Sequence, residues 1–342
     1  MSFSVNIRQF KTSIDVEMGE TILSAALKSG VQFPHGCQSG NCGACKSRLF
    51  SGDIQMSPYS DFALTKEEKE SGLILACRSV PWSDCDLAYL EQDDLVTFPI
   101  RKLNCTVKEI QQFTHDIVRI FLGIDSGGPF NFAAGQYAKV SFDKFPPRDY
   151  SMASLPADDF LEFHIRQISG GLTSTHANKK LIVGETVSLE GPFGVSYFRE
   201  NHTGPLIAIG GGSGLAPIKS IVETALEKNR KQPIHLYFGA RDTRDVYLES
   251  HFLNLENKHE NFTYTCVLSE PKELTKYRTG HLFEAVSDDF NSLDGAKAYL
   301  AGPPIMVETC IKKLCELGIR QDDCHADAFY TEAEKAKLEV LT

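Results

Sequence analysis

Pro34-His35-Gly36-Cys37-Gln38-Ser39-Gly40-Asn41-Cys42-Gly43-Ala44-Cys45 decides how the first part of this 342-residue chain folds. Its three cysteines must turn their thiolates toward one small inorganic centre, with backbone N–H groups aimed at the sulfurs. Gly36, Gly40 and Gly43 permit the tight and left-handed backbone that such a wrap requires. A fourth thiol, Cys77, stands in Leu73-Ile74-Leu75-Ala76-Cys77-Arg78, an apolar run that reads as a buried strand end.

The order Cys-x4-Cys-x2-Cys, then a distant Cys, is the plant-type [2Fe–2S] ligand spacing, so Cys37, Cys42, Cys45 and Cys77 are the expected metal ligands. Zinc would ask for a second Cys-x2-Cys knuckle or for histidines. Cys85, in the polar stretch Trp82-Ser83-Asp84-Cys85-Asp86, is the rival fourth ligand and is expected in a loop; the other cysteines read as buried thiols. With 10 cysteines and no signal peptide, the chain is expected in the cytoplasm with its thiols reduced.

A hydrophobic fraction of 42% and a charged fraction of 23% are those of an ordinary globular protein long enough for two or three cores. The net charge of −10 is the wrong sign for a nucleic-acid partner, and no apolar run has the length of a membrane span. Residues 1–97 carry 8 Lys/Arg against 13 Asp/Glu and the remainder 27 against 32, so the acidity is evenly shared. His35, Lys46, Arg48 and Arg78 form a basic rim around the cysteine loop that can face a partner or simply be solvated.

Alternating residues 3–10 and 12–17 predict a hairpin, Glu20–Ser29 a helix, Lys46–Phe50 a strand, and Thr65–Ser71 a short helix capped by Thr65. The acidic stretch Glu91–Asp94, ending at Pro99, reads as a linker. Strands follow at Leu103–Ile110, Ile117–Gly123, Tyr137–Phe142, Leu161–Gln167 and Thr186–Glu190, the spacing of a small antiparallel barrel. Beyond Pro205 apolar runs alternate with helices: strands at Leu206–Ile209, His235–Gly239, Phe262–Leu268 and Ala298–Ala301, helices at Ala216–Lys228, Tyr247–Leu255, Gly280–Val286 and Pro304–Leu317. That grammar predicts a doubly wound parallel sheet. The tail Thr331–Leu341 reads as a short helix or a disordered end.

Arg148-Asp149-Tyr150-Ser151, preceded by Gly135-Gln136-Tyr137, resembles the Arg-x-Tyr-Ser flavin motif of the ferredoxin–NAD(P)H reductase superfamily. With the cysteine module in front, the chain is similar to the reductase components of bacterial multicomponent oxygenases, over residues 1 to about 330. The resemblance implies a multidomain α+β and α/β protein: a β-grasp [2Fe–2S] ferredoxin at 1–97, a six-stranded antiparallel barrel for FAD at 98–203, a doubly wound NAD domain at 204–330 and a tail at 331–342. It implies that Arg148 pairs with a flavin phosphate, that Tyr150 lies against the isoalloxazine, and that Ser151 hydrogen-bonds near flavin N5; Tyr150 and Ser151 are the expected catalytic residues. His164-Ile165-Arg166 and Gly171-Leu172-Thr173-Ser174 match the second flavin segment, in which a glycine pair opening a helix makes an anion site. Phe329 matches a terminal aromatic that sits near the flavin in relatives.

Leu206-Ile207-Ala208-Ile209 runs into Gly210-Gly211-Gly212-Ser213-Gly214, then a helix, which is the layout of a pyrophosphate cradle. By the same resemblance Gly211, Gly212, Ser213 and Gly214 bind NAD, and Ala301-Gly302-Pro303 approach the nicotinamide, with Ala301 where most relatives have cysteine. Ala240, Arg241, Asp245 and Glu270 are expected around the adenosine ribose. Glu270 repels a 2′-phosphate and favours NADH, while Arg241 or Arg244 argues the other way. His115 and His164 have no evident acid–base partner in sequence and read as structural.

The three modules together imply one circuit: NADH passes a hydride to FAD, and single electrons leave through the [2Fe–2S] cluster. Segments His202-Thr203-Gly204-Pro205 and Ala326-Asp327-Ala328-Phe329-Tyr330 look like those of naphthalene-type dioxygenase reductases. The expected acceptor is therefore a Rieske-type ring-hydroxylating dioxygenase or an intermediate ferredoxin, and the protein is expected to be a monomer. A di-iron monooxygenase acting on phenol, toluene or methane, or a deoxysugar dehydrase, is the alternative partner. A redox-sensing or assembly subunit without turnover is the alternative class.

Overall fold

The computed structural model describes residues 2–331 and 334, apart from 11, 37, 41, 62, 91–93, 95 and 229. Two compact units result, one of Met1–Leu95 with Tyr330–Thr342, the other of Val96–Phe329. Of the tail, only Tyr330, Thr331 and Glu334 are described, so its expected conformation lies outside the described residues, as does most of the linker.

In the first unit, β1 (Ser2–Ile7) and β2 (Ile14–Glu17) form the expected hairpin, and α1 (Ile22–Lys28) follows. Thr21 caps α1 by accepting from Ser24 N–H at 3.3 Å. Next come β3 (Lys46–Ser51), β4 (Ile54–Met56), α2 (Lys66–Glu70), β5 (Leu73–Leu75), β6 (Ser79–Pro81) and β7 (Cys85–Tyr89). The main sheet runs β2-β1-β7-β3-β5, and β4 pairs with β6 apart from it. Val5, Ile7, Ile14, Val16, Ile22 and Leu87 fill the space between sheet and α1. Thr65 and Glu68 close a reciprocal cap on α2.

The second unit opens with the barrel: β8 (Arg101–Gln112), β9 (Ile117–Ser126), β10 (Tyr137–Phe142), β11 (Arg148–Ser151), β12 (Phe160–Arg166), α3 (Leu172–Lys179) and β13 (Thr186–Phe193). Its order is β11-β10-β13-β8-β9-β12, and a bridge between Met152 and Phe163 brings the two edges together. The flavin motif Arg148–Ser151 is itself the sixth strand, which its short polar run hid from pattern reading.

The parallel sheet comprises β14 (Leu206–Gly211), β15 (Ile234–Ala240), β16 (Phe262–Leu268), β17 (Arg278–Thr279), β18 (Lys297–Gly302) and β19 (Cys324–Ala328), ordered β17-β16-β15-β14-β18-β19. Helices α4 (Leu215–Glu227), α5 (Glu249–Lys258), α6 (Leu282–Asp289) and α7 (Pro304–Glu316) connect it. The α5 helix begins two residues later than its apolar spacing suggests, because Leu248 takes a left-handed φ of 57° and leaves Tyr247 in the preceding turn. Barrel residues Ile117, Ala134 and Phe198 pack into the same core as Leu215, Ile218 and Tyr299, so barrel and parallel sheet share one interior.

Candidate cofactor sites

Cys45 immediately precedes β3 and Cys77 lies just past β5, which pairs antiparallel with β3, so the sheet brings the Cys77 backbone to the Cys45 sulfur across 32 residues of sequence. The Cys77 N–H donates to Cys45 Sγ at 3.4 Å, and Ala76 N–H donates to the Cys45 carbonyl at 3.1 Å. Cys45 and Cys77 are buried and Cys42 is partly exposed; none is in a disulfide. Cys37 lies outside the described residues. Gly40 adopts φ +79°, and a Cβ there would press against Arg78 and Tyr59 at 2.9 Å, so the loop folds tightly over the Arg78 stem. A sulfur that already accepts a backbone N–H, inside a glycine-bent loop, suits thiolate ligation of a cluster. The basic residues are braces within this unit: Lys46 pairs with Glu68 at 2.6 Å, Arg48 donates to the Ser71 carbonyl and Arg78 to the Pro58 carbonyl, both at 2.7 Å.

Cys85 differs from its sequence reading: it starts strand β7 and is buried. Burial first, then Asp53 and Asp84, pushes its thiol up to about 11, the opposite of what a thiolate ligand requires.

In the second unit the flavin and nicotinamide motifs meet along one seam. Ser151, at the end of β11, donates to Asp327 Oδ2 of β19 at 3.1 Å. The β19 strand lies beside β18 with Ala301 opposite Asp327, and Phe329 N–H donates to the Gly302 carbonyl at 2.9 Å. Ser151, Ala301, Gly302 and Phe329 are thereby brought together. Tyr150 is half-buried against the barrel core, and Arg148 donates to the Pro147 carbonyl at 2.8 Å. On the other flank Gly171 precedes α3 without a side-chain cap; Ser174 Oγ accepts from Ile168 N–H at 3.1 Å, and Thr173 donates to the Pro146 carbonyl at 3.0 Å. An uncapped helix start with a hydroxyl in its first turn can hold a pyrophosphate.

The glycine loop is close-packed. A Cβ on Gly214 would come within 2.1 Å of the Ala301 carbonyl oxygen, and one on Gly211 within 2.4 Å of Met306 Sδ. Gly212 has φ +56°, and a Cβ there would lie 3.4 Å from an Arg166 guanidinium nitrogen. Arg166, expected on the flavin side, thus stands beside the nicotinamide loop, its Nε donating to Asp116 at 2.8 Å. Arg241 lies 4.0 Å from the same carboxylate and 3.8 Å from Asp245, while His115 lies 3.4 Å from Asp245. Asp245 Oδ2 accepts from Asp242 N–H at 3.1 Å; its buried Oδ1, the atom that faces His115 Nδ1, accepts no hydrogen bond among the described residues. Burial alone would raise the Asp116 carboxyl, but the Arg166 hydrogen bond and charge outweigh it and hold it below its ordinary value. Exposed Glu270 follows the end of β16 and donates its N–H to the Arg241 carbonyl at 2.8 Å, so the predicted ribose residues Ala240, Arg241 and Glu270 share one rim.

Behind this seam runs a buried polar network that sequence reading missed. Glu162, 2% exposed, accepts from His164 Nε2 and Arg119 Nε, both at 2.9 Å, and from Lys219 Nζ at 3.2 Å. Lys219, on α4, also donates to Glu223 and to the Ala153 carbonyl, both at 3.0 Å, and Ser220 donates to the Ser154 carbonyl at 2.7 Å. Burial would raise Glu162, but the hydrogen bond from His164 and the charges of Lys219, His164 and Arg119 hold it well below the usual carboxylate range. Burial depresses His164 despite Glu162. The histidine thought to lack a partner has one two residues away. The available signal was Lys219 itself, a lysine among Ile218, Ile221 and Val222 with a glutamate four residues on.

A cluster-suited cysteine loop, an antiparallel barrel with an anion-binding helix start and a parallel sheet with a glycine cradle define an electron-transfer oxidoreductase that uses nicotinamide and flavin. Models for a 2Fe-2S iron-sulfur cluster binding domain, an oxidoreductase FAD-binding domain and an oxidoreductase NAD-binding domain match residues 5–81, 104–198 and 208–312. The chain is 38% identical over 320 residues to the reductase component of the naphthalene 1,2-dioxygenase/salicylate 5-hydroxylase systems of Ralstonia sp, covering 93% of this chain and 95% of that protein. It is 35% identical to the phenol hydroxylase P5 protein of Acinetobacter pittii, covering 98% and 97%. A cytochrome P450 reductase from Amycolatopsis superposes with TM-score 0.77 at 33% identity, covering 96% of this chain and 98% of that one. The chain belongs to the family of oxygenase reductase components that join a [2Fe–2S] domain to FAD- and NAD-binding domains. None of the described helices is long and apolar enough to cross a membrane.

Proposed function

We propose that the protein oxidises NADH and feeds electrons to a Rieske-type aromatic-ring-hydroxylating dioxygenase, directly or through a small ferredoxin. The observation that carries the acceptor is the 38% identity to a reductase serving naphthalene 1,2-dioxygenase and salicylate 5-hydroxylase systems. When bound, the flavin takes electrons in pairs from the nicotinamide and the cluster releases them singly. Cys37, Cys42, Cys45 and Cys77 hold the cluster. Arg148, Tyr150, Ser151, His164, Ile165, Arg166, the segment Gly171–Ser174 and Phe329 hold FAD, with His164 contributing backbone because its side chain is sealed inside the network. Gly211–Gly214 cradle the dinucleotide pyrophosphate, Ala301–Pro303 border the nicotinamide, and Ala240, Arg241, Asp245 and Glu270 surround the adenosine ribose. Glu270, at the rim shared with Arg241, favours NADH over NADPH by repelling a 2′-phosphate. The modules are bounded near residues 97 and 203. Free thiols at Cys85 and Cys105, outside the cluster, suit the cytoplasm, and the protein is proposed to be a monomer.

The 35% identity to a phenol hydroxylase component supports a second reading, a di-iron monooxygenase as acceptor. Reconstitution separates them: with a purified naphthalene-type dioxygenase, NADH oxidation should couple to dihydrodiol formation, and with a phenol hydroxylase it should not. Coupling to phenol hydroxylation alone would overturn the Rieske assignment. Failure to reduce cytochrome c with NADH would favour a non-turnover sensing role.

A further inference from the structure

Tyr247 occupies the turn before α5 and is 4% exposed. Its hydroxyl lies 3.1 Å from the Gly212 carbonyl oxygen and 3.3 Å from His164 Nδ1. Gly212 belongs to the glycine loop; His164 belongs to barrel strand β12. The side chain therefore joins the two halves of the second unit at the loop that opens α4. Phe113 stacks on its ring at 5.0 Å and Phe238 meets it edge-on at 5.4 Å, so the ring is fixed independently of the hydroxyl.

The hydroxyl has one proton and two acceptors. Glu162, bonded to Lys219 and Arg119 as well as to His164, is an acceptor only, so the ring proton of neutral His164 sits on Nε2 and the Nδ1 lone pair faces Tyr247. Gly212 and His164 then compete for the Tyr247 proton. We propose that Tyr247 is a positioning residue for the dinucleotide loop, its hydroxyl holding the Gly212 carbonyl against the barrel, and that His164, oriented by Glu162, draws part of that hold away. The inference rests on the reading that Gly211–Gly214 cradle the dinucleotide.

The test uses the full-length protein loaded with FAD and cluster. Tyr247→Phe keeps the ring and its packing on Phe113 and Phe238 and removes only the hydroxyl. The KM for NADH should rise about 3- to 10-fold, the loss of one ordinary hydrogen bond, while kcat stays within about twofold and FAD content is unchanged. His164→Gln keeps an amide N–H for Glu162 near the Nε2 position and removes the acceptor facing Tyr247; its KM should be equal to or below that of the wild type. The double variant should match Tyr247→Phe. An unchanged KM in Tyr247→Phe, or loss of FAD with KM unaltered, overturns the inference while leaving the site reading intact. A wild-type protein whose flavin NADH does not reduce overturns the site reading and the inference with it.

Discussion

The cysteine loop and the seam between barrel and parallel sheet solve different physical problems. The loop must bend a short stretch of backbone around one centre, and it does so with glycines and with Cys77 delivered by the partner strand of β3. The seam must fix two independently hydrogen-bonded sheets against each other. There the buried carboxylate of Glu162 gathers neutral His164, partly buried Arg119 and buried Lys219, and the large desolvation cost of the charged groups is offset only while their partners are present. The loop's site is built from one short stretch and the end of one neighbouring strand; the seam's alignment depends on several distant residues acting together.

This contrast can be broken at either end. The largest effect is expected from Cys77→Ser, which should abolish the reduced-cluster EPR signal and cytochrome c reduction yet leave NADH reduction of the flavin intact; parallel loss of flavin reduction would mean that the two regions are not separable. Next, Lys219→Met leaves Glu162 and Glu223 without their shared cation and should cost about 3–5 kcal/mol, read as a lower urea midpoint. Because Glu162 is held below its ordinary value when folded, its contribution is complete above about pH 4.3 and is lost as pH falls toward the folded value, so Glu162→Gln should show a flatter acid-unfolding profile than the wild type. Smaller is Glu270→Arg, which should improve the kcat/KM ratio for NADPH over NADH by about tenfold, roughly the removal of one repulsive charge contact. Smallest is Thr65→Ala, which removes the α2 cap for about 1 kcal/mol without touching either cofactor site.

Much of this was legible in the sequence because it was local. Cysteine spacing, glycine loops and the change from short strands to alternating strands and helices are written within windows of 10–30 residues, and the fold obeys them. Among the elements that escaped were three decided by tertiary context: β7, which β1 and β3 flank; β11, a strand of two charged and two polar residues that exists because β10 pairs with it; and β19, five residues placed by β18. At the site, the strand, glycine turn and helix around Gly211–Gly214 were visible as a layout, whereas the roles expected of these glycines and of Ala301–Pro303 came from the family resemblance. Asp116, Glu162, Lys219, Tyr247 and the Asp327 partner of Ser151 were not, since each acquires meaning only from a residue between 50 and 176 positions away or from a charge that looks ordinary until it is buried. His164 shows the limit in miniature: its partner is two residues off on the same face of a strand, but nothing in the sequence says that this face is sealed.

One chain is proposed to take electrons from NADH at the seam and to release them singly from the cysteine loop. Anaerobic titration of the cofactor-loaded protein with NADH, followed by absorbance and EPR, tests it most directly. The flavin band should bleach and a rhombic reduced [2Fe–2S] signal should appear, with NADPH markedly less effective. A protein that bleaches with neither nicotinamide, or whose flavin is reduced while the cluster stays oxidised, would contradict it.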